Sequence, residues 1–395
     1  MRVCGIIAEY DPLHTGHARQ ISAVREALGD CAVLCVMSGN WTQRGAPAIA
    51  EKHLRARLAL LGGADLVLEL PTVWAVSSAE SFARGGVSLL EGTGVVTHLC
   101  FGSECGDVDK LRQVAECLDS PVYHAGLRRF LDEGMPFAAC RQAVAEGLLG
   151  KEPAALLSAP NNNLGVEYLR SLHALGSKIE PFTVRRQGAL HGEGPKDGYT
   201  SGTYLRTLLR EGRFEETAPY LLPGEGELLF ASPLADLCRV ERAVLARLRT
   251  MTEDDWAALP DAGAAEGLPK RLAQAGRRCA SLEEFFALAK TKRYPRARLD
   301  RLVLWAFLGL TAADIPETPP YLRVLGFNER GREVLREMKD RAALPILTKP
   351  AHARELDESG RRLFGLEARC TDLYGLCLPE LPPGGMEWLR GPARL

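Results

Sequence analysis

The chain has 395 residues, 46% hydrophobic and 25% charged, with 49 basic side chains against 50 acidic ones. This is the make-up of a soluble globular protein large enough for two or three domains. A net charge of −1 excludes an overall electrostatic pull on nucleic acid, and the lack of any apolar run of about 18 residues excludes a membrane-spanning helix.

Residues 3–8 read as a buried strand entered straight from Met1 without the flanks of a secretory signal, so a cytoplasmic setting is expected. A helical pattern follows over 17–28, then a strand over 32–37. Cys31 and Cys35 share one face of that strand. The 11 cysteines are odd in number and irregularly spaced, which predicts buried reduced thiols. Helix 52–61, strand 66–70, helix 78–91 and strand 96–101 continue the alternation. Helical segments then fill 109 to about 149 before a fifth strand at 179–184. Strands rich in Val, Ile and Leu, separated by helices, predict an α/β fold: a Rossmann-like doubly wound parallel sheet over residues 1–215, with a helical insertion at about 109–165. Pro/Gly-rich breaks at 223–227, 259–268 and 315–320 then separate helical segments at 235–251, 282–290 and 298–309. Residues 216–395 therefore read as a mainly helical C-terminal region, with 379–395 as irregular surface chain.

A sheet of this kind binds its ligand outside the carboxyl ends of the strands, where the strand order reverses. Glycine and polar or cationic residues collect at those ends: His14 and His17 after the first strand, Gly39 and Arg44 after the second, Gly102 and Glu104 after the fourth, and Arg185, Arg186, Gln187 and Gly188 after the fifth. His14-Thr-Gly-His17 sets two imidazoles and several unpaired N–H groups at one helix N-terminus. That suits the charge that builds on the α-phosphate of ATP, and Gly16 permits close backbone approach. Capping histidines or half of a zinc site also fit the two residues alone. No third ligand stands at a recognisable spacing, so no protein-held metal is expected. Ser201, Thr203 and Arg206 open a later helix and suit the β- and γ-phosphates, although a plain helix cap has the same pattern.

In the C-terminal region Lys290, Lys292, Arg293, Arg296, Arg298 and Arg301 crowd around Tyr294. The cluster suits an RNA backbone with Tyr294 stacked on a base; a solvated helix start is the plainer reading. Lys52, Arg55 and Arg57 form another cationic helix face, read as ordinary surface.

The His-x-Gly-His turn with a late Ser/Thr-rich motif ending in Arg resembles the nucleotidylyltransferase superfamily. Longer stretches, including 37–49, 65–71, Phe101-Gly-Ser-Glu104, Pro160-Asn-Asn-Asn-Leu-Gly165, 290–295 and 321–327, resemble the bacterial tRNA(Met) cytidine acetate ligase family, from residue 1 to about 350. The resemblance implies a carbon–nitrogen bond-forming ligase. Such an enzyme activates acetate with ATP as acetyl-adenylate, then acetylates the N4 amine of the wobble cytidine of elongator tRNA(Met). It implies ATP contacts along Ile7, Ala8, Glu9, Tyr10, Asp11, Pro12, Leu13, His14, Thr15, Gly16, His17, Ala18, Arg19 and Gln20. Further contacts are implied at Gly102, Asn162 and one of Arg185 and Arg186, beside Ser201, Thr203 and Arg206, with Mg²⁺ held mainly by the phosphates. His14, His17 and Arg186 are the expected catalytic residues. The expected RNA contacts are Lys290, Lys292, Arg293, Tyr294, Arg296 and Arg298.

Asp11, Leu13 and Thr15 stand where the family usually has Asn, Phe and Asn. Asp11 thereby adds a carboxylate that either weakens phosphate binding or helps to hold magnesium. Two other readings stay open. An adenylyltransferase making a dinucleotide-type cofactor leaves the helical half unexplained, and a non-catalytic RNA-binding protein leaves both histidines unexplained.

Overall fold

The computed structural model describes residues 1–133, 135, 137–186, 198–263 and 266–395; Gln187 and Gly188 lie outside the described residues. Its main sheet is built from β1 (Arg2–Ala8), β2 (Cys31–Ser38), β3 (Leu66–Leu70), β4 (His98–Ser103), β5 (Glu180–Arg185), β6 (Leu322–Phe327) and β7 (Ala393–Arg394). They stand in the order β7-β6-β3-β2-β1-β4-β5, with a two-residue strand, Ile346–Leu347, beside β6. The first five are mutually parallel, and their order reverses between β1 and β4. This is the expected doubly wound sheet, with its crevice at the carboxyl ends of β1 and β4.

Side chains alternate across the sheet into two apolar layers. Val3, Ile7, Leu34, Val36 and Leu68 face one layer together with Val87 and Leu90 of the helix Ala79–Gly92. Cys4, Ile6, Val33, Cys35 and Met37 face the other, against Ile21 and Val24 of the helix Thr15–Leu28. Cys31 and Cys35 share that second face as free buried thiols, and burial pushes the Cys35 thiol up to about 12. Between β4 and β5 the chain runs through the helices Val108–Asp119, Pro121–Asp132, Phe137–Leu149 and Lys151–Ala155. It returns along Pro160–Ala174, which packs on Ala79–Gly92.

The C-terminal region departs from its reading in one respect. It is rich in helix, but it also returns three strands to the main sheet: β6 pairs antiparallel with β3, β7 pairs with β6, and the two-residue strand Ile346–Leu347 pairs with β6 as well. Residues 379–395 are thus not merely surface chain; they supply β7 and the buried Glu387. Among the described residues no helix is long and apolar enough to cross a membrane.

Candidate active site

Beyond Ala8 the chain turns sharply. Tyr10 takes a left-handed backbone conformation (φ 45°), uncommon for a large side chain. The residue is fully packed: its hydroxyl lies 3.3 Å from Cys35 Sγ and its ring stands edge-on to His17 at 5.0 Å. His14 is the N-cap of Thr15–Leu28, and its Nδ1 accepts the Gly16 N–H at 3.1 Å. A Cβ on residue 16 would stand 3.0 Å from His14 Cε1, so glycine lets the ring fold over the helix end. The His17 ring stacks on that of His14, centroids 3.8 Å apart.

Burial, then Arg186 and Arg206, lower the His14 pKa to about 3. Burial, then His14 and Arg186, hold His17 well below the usual range. Both rings are therefore neutral at pH 7. Since His14 Nδ1 is an acceptor, its proton sits on Nε2, which is left as a donor. Buried His17 Nδ1 and Thr15 Oγ1 have no hydrogen-bond partner among the described residues.

Arg186 follows β5 directly, and its side chain runs across Gly102, where an added Cβ would stand 3.2 Å from Arg186 Cγ. Of the two arginines it is Arg186 that bears on both imidazoles; Arg185 lies against Gly106. Arg186 Nη1 donates to Asn161 Oδ1 at 2.9 Å, and Asn161 Nδ2 donates to Glu104 Oε1 at 2.7 Å. Asn162, placed by sequence among the ATP contacts, is buried. Its Oδ1 accepts the N–H groups of Glu104 and Cys105 while its own N–H donates to Glu104 Oε2. Asn162 thus fixes the turn that follows Gly102 and carries Glu104.

Ser201 caps the helix Gly202–Arg210 by accepting the Tyr204 N–H. Arg206 donates to the Asp11 carbonyl and to Thr203 Oγ1, and pairs with Asp11 Oδ2 at 3.3 Å. The far motif is therefore joined to the His14 turn, with Arg206 as the tie. Asp11 Oδ1 also accepts the Ile49 N–H at 2.6 Å, and Glu9 Oε1 accepts the Gln43 N–H at 2.7 Å. Among the described residues both loop carboxylates thus serve as internal acceptors. Arg19 reaches Tyr199 Oη at 3.1 Å, Gln20 reaches the Cys100 carbonyl at 3.4 Å, and Ile7 and Leu13 are core residues.

The C-terminal basic cluster divides in two. Lys290 and Lys292 are exposed and Arg293 is half-buried, 4.0 Å from Glu266. Tyr294 is buried, and its hydroxyl donates to the Glu266 carbonyl at 2.7 Å. This corrects the stacking expectation, because the ring is packed in the helical region. Arg298 donates to the Asp261 carbonyl and pairs with Glu266, while Arg296 lies 3.6 Å over the Phe286 ring and pairs with Asp300.

Sequence reasoning also missed two residues. Lys52 and Arg55, read as surface, are each only 1% exposed. Lys52 Nζ lies 2.7 Å from Glu69 and 2.6 Å from Glu387, and Arg55 donates to backbone carbonyls around the His14 turn. Their partners come from distant segments, so only the Gly39-bearing turn and the Glu in strand 66–70 hinted at them. Arg57 is exposed, as expected.

A Rossmann-like sheet with paired imidazoles on a helix N-terminus at its switch point defines a nucleotidyl transferase of the HIGH class. The HIGH Nucleotidyl Transferase profile matches residues 1–384. The chain belongs to the tRNA(Met) cytidine acetate ligase family. It is 34% identical to the ligase of Clostridium perfringens over 400 aligned positions, covering 96% of each chain, and 34% identical to that of a Thermoanaerobacter strain, covering 98% of each. Among solved structures, Thermotoga maritima TmcAL bound with alpha-thio ATP superposes with a TM-score of 0.92 at 32% identity, and its apo form with 0.94; both cover all of each chain.

Proposed function

We infer that this chain is an ATP-dependent ligase that acetylates the N4 amine of the wobble cytidine of elongator tRNA(Met), using acetate activated as acetyl-adenylate. The observation that carries the reading is the stacked, neutral His14–His17 pair on a helix N-terminus, with the charge of Arg186 bearing on both rings. An acetate oxygen attacks the α-phosphorus of ATP in line, the α–β bridging bond breaks, and pyrophosphate leaves. The imidazole N–H groups, the N-terminal amides of Thr15–Leu28 and the Arg186 guanidinium meet the charge developing on the non-bridging oxygens. Neutral imidazoles act here as fixed donors and need no protonation step. In the second half-reaction the cytidine N4 attacks the acetyl carbon, AMP leaves with the bond electrons, and the amine proton passes to solvent. Magnesium would enter with the nucleotide, held mainly by its phosphates, and would neutralise their charge.

The deciding experiment is mass analysis of tRNA(Met) after incubation with the protein, ATP and isotopically labelled acetate. The expected product carries one labelled acetyl group on the anticodon cytidine. A cofactor-type adenylyltransferase would instead exchange pyrophosphate only with a nucleotide acceptor, and unmodified tRNA without exchange would sink both enzymatic readings.

For RNA contact, the exposed part of the cluster is the better assignment. Replacing Lys290, Lys292 and Arg293 by Gln is expected to weaken tRNA binding and to lower the salt slope by about 1 per lost phosphate contact. Tyr294→Phe is expected to leave tRNA affinity unchanged and to lower thermal stability, since it removes only the bond to Glu266. An unchanged salt slope in the triple variant would return those three residues to plain surface.

A further inference from the structure

We propose that Arg55 is the positioning residue of the nucleotide loop and sets a fixed positive charge behind the triphosphate, an inference that rests on the reading that this loop binds ATP. Arg55 sits in the helix Lys52–Leu61, 1% exposed. Its Nη1 donates to the Glu9 carbonyl at 2.5 Å, its Nη2 to the Ser38 carbonyl at 2.9 Å and to that of Gly39, and its Nε to Ala50 at 2.9 Å. Glu9 is the first residue after β1, Ser38 ends β2 and Gly39 follows it, and Ala50 adjoins Ile49, whose N–H holds Asp11. One planar fork thereby joins three segments that border the His14 turn. A lysine ammonium at this position offers three donors from a single point and cannot span them.

The second observation is electrostatic. Every hydrogen bond of Arg55 in the described structure goes to a carbonyl oxygen, so carbonyl dipoles solvate the charge without neutralising it. A buried cation held in this way contributes poorly to stability by itself. It gains a counter-charge when a polyphosphate enters the adjoining loop, because Coulombic attraction is stronger where water is excluded. Neutral His14 and His17 sharpen the point: the turn supplies donors, and charge must come from cations around it, among them Arg186, which bears on both rings.

The test compares ATP and adenosine binding by calorimetry in the wild-type chain, Arg55→Lys and Arg55→Gln. ATP affinity is expected to fall about tenfold in the first variant and about a hundredfold in the second, with adenosine affinity within about twofold of wild type in both. Equal losses for ATP and adenosine would reduce Arg55 to a packing role, and unchanged ATP affinity would overturn the proposal outright. A wild-type chain that fails to bind ATP would instead overturn the reading of the loop. Should Arg55→Gln not fold, the ATP-to-adenosine ratio of Arg55→Lys decides alone.

Discussion

His14→Ala and His17→Ala are each expected to slow acetate-dependent formation of AMP and pyrophosphate by about 10²- to 10³-fold, the usual consequence of removing one donor to a developing phosphoryl or oxyanion charge. tRNA affinity is expected to stay within a few-fold, because the RNA contacts are assigned elsewhere. His14 also caps its helix through the bond from Gly16, so His14→Ala carries a stability cost of about 1 kcal/mol besides the kinetic one. His14→Asn separates the two effects, since asparagine restores a capping acceptor without the imidazole donor. Because the rings stack at 3.8 Å and act as a unit, the double variant should lose far less than the product of the single losses. Equal loss of tRNA binding and adenylate formation would remove the turn from ATP chemistry.

The same pair sets a pH expectation. The folded His14 pKa is about 3, while an unfolded histidine titrates near about 6.5. Its contribution to stability is thus fully present above about pH 6.5, falls away as the pH drops below that value, and is lost on passing through about 3. Accordingly kcat/KM for ATP should show no break near 6.5 from these residues. An inflection there that His17→Ala abolishes would show a charged imidazole in the free protein and contradict the neutral-donor role.

What could be read from the sequence follows how local each determinant is. Strand 66–70 and helix 52–61 agree with the structure residue for residue, and the ends of the other parallel strands shift by one or two positions, because an unbroken Val/Ile/Leu run states its own burial. The His14–His17 turn was legible for the same reason, since strand, turn, cap and helix are contiguous. β6 was not. Arg323 and Gly326 interrupt its apolar run, and the burial of Arg323 makes sense only beside Glu387, brought in by the C-terminal chain. Tyr294 failed in the opposite direction: a short basic-aromatic cluster cannot reveal that Glu266 claims the hydroxyl and the core claims the ring. Arg206 lies between these cases, since its motif was legible while its bond to the Asp11 carbonyl was not.

Lys52→Met is expected to lower the unfolding free energy by about 3–5 kcal/mol at pH 7, measured by urea denaturation. Lys52 is enclosed by Glu69 at 2.7 Å and Glu387 at 2.6 Å, with every partner at most 3% exposed, and Arg323 completes the cluster from β6. Burial alone would raise the Glu387 carboxyl, but Lys52 and Arg323 together hold it below its ordinary value. Burial, then Glu69, instead pushes Glu367 up to about 8, so its part of the stability is full below about pH 4.5, declines above that value and is gone once the pH has risen through about 8. Methionine in place of Lys52 leaves Glu69 without its cation and Glu387 with Arg323 alone. Their folded pKa values must then rise, so the penalty should shrink as the pH falls towards 5 and protons replace the missing charge. A penalty below about 1 kcal/mol, or one that does not shrink on acidification, would mean that water reaches the cluster. The effect should extend to the nucleotide site: Glu69 Oε1 lies against Gly39, and the Lys52 N–H donates to Asn40. These two residues follow β2, next to the carbonyls that Arg55 gathers, so a chain cut before Glu387 should lose ATP affinity along with its stability.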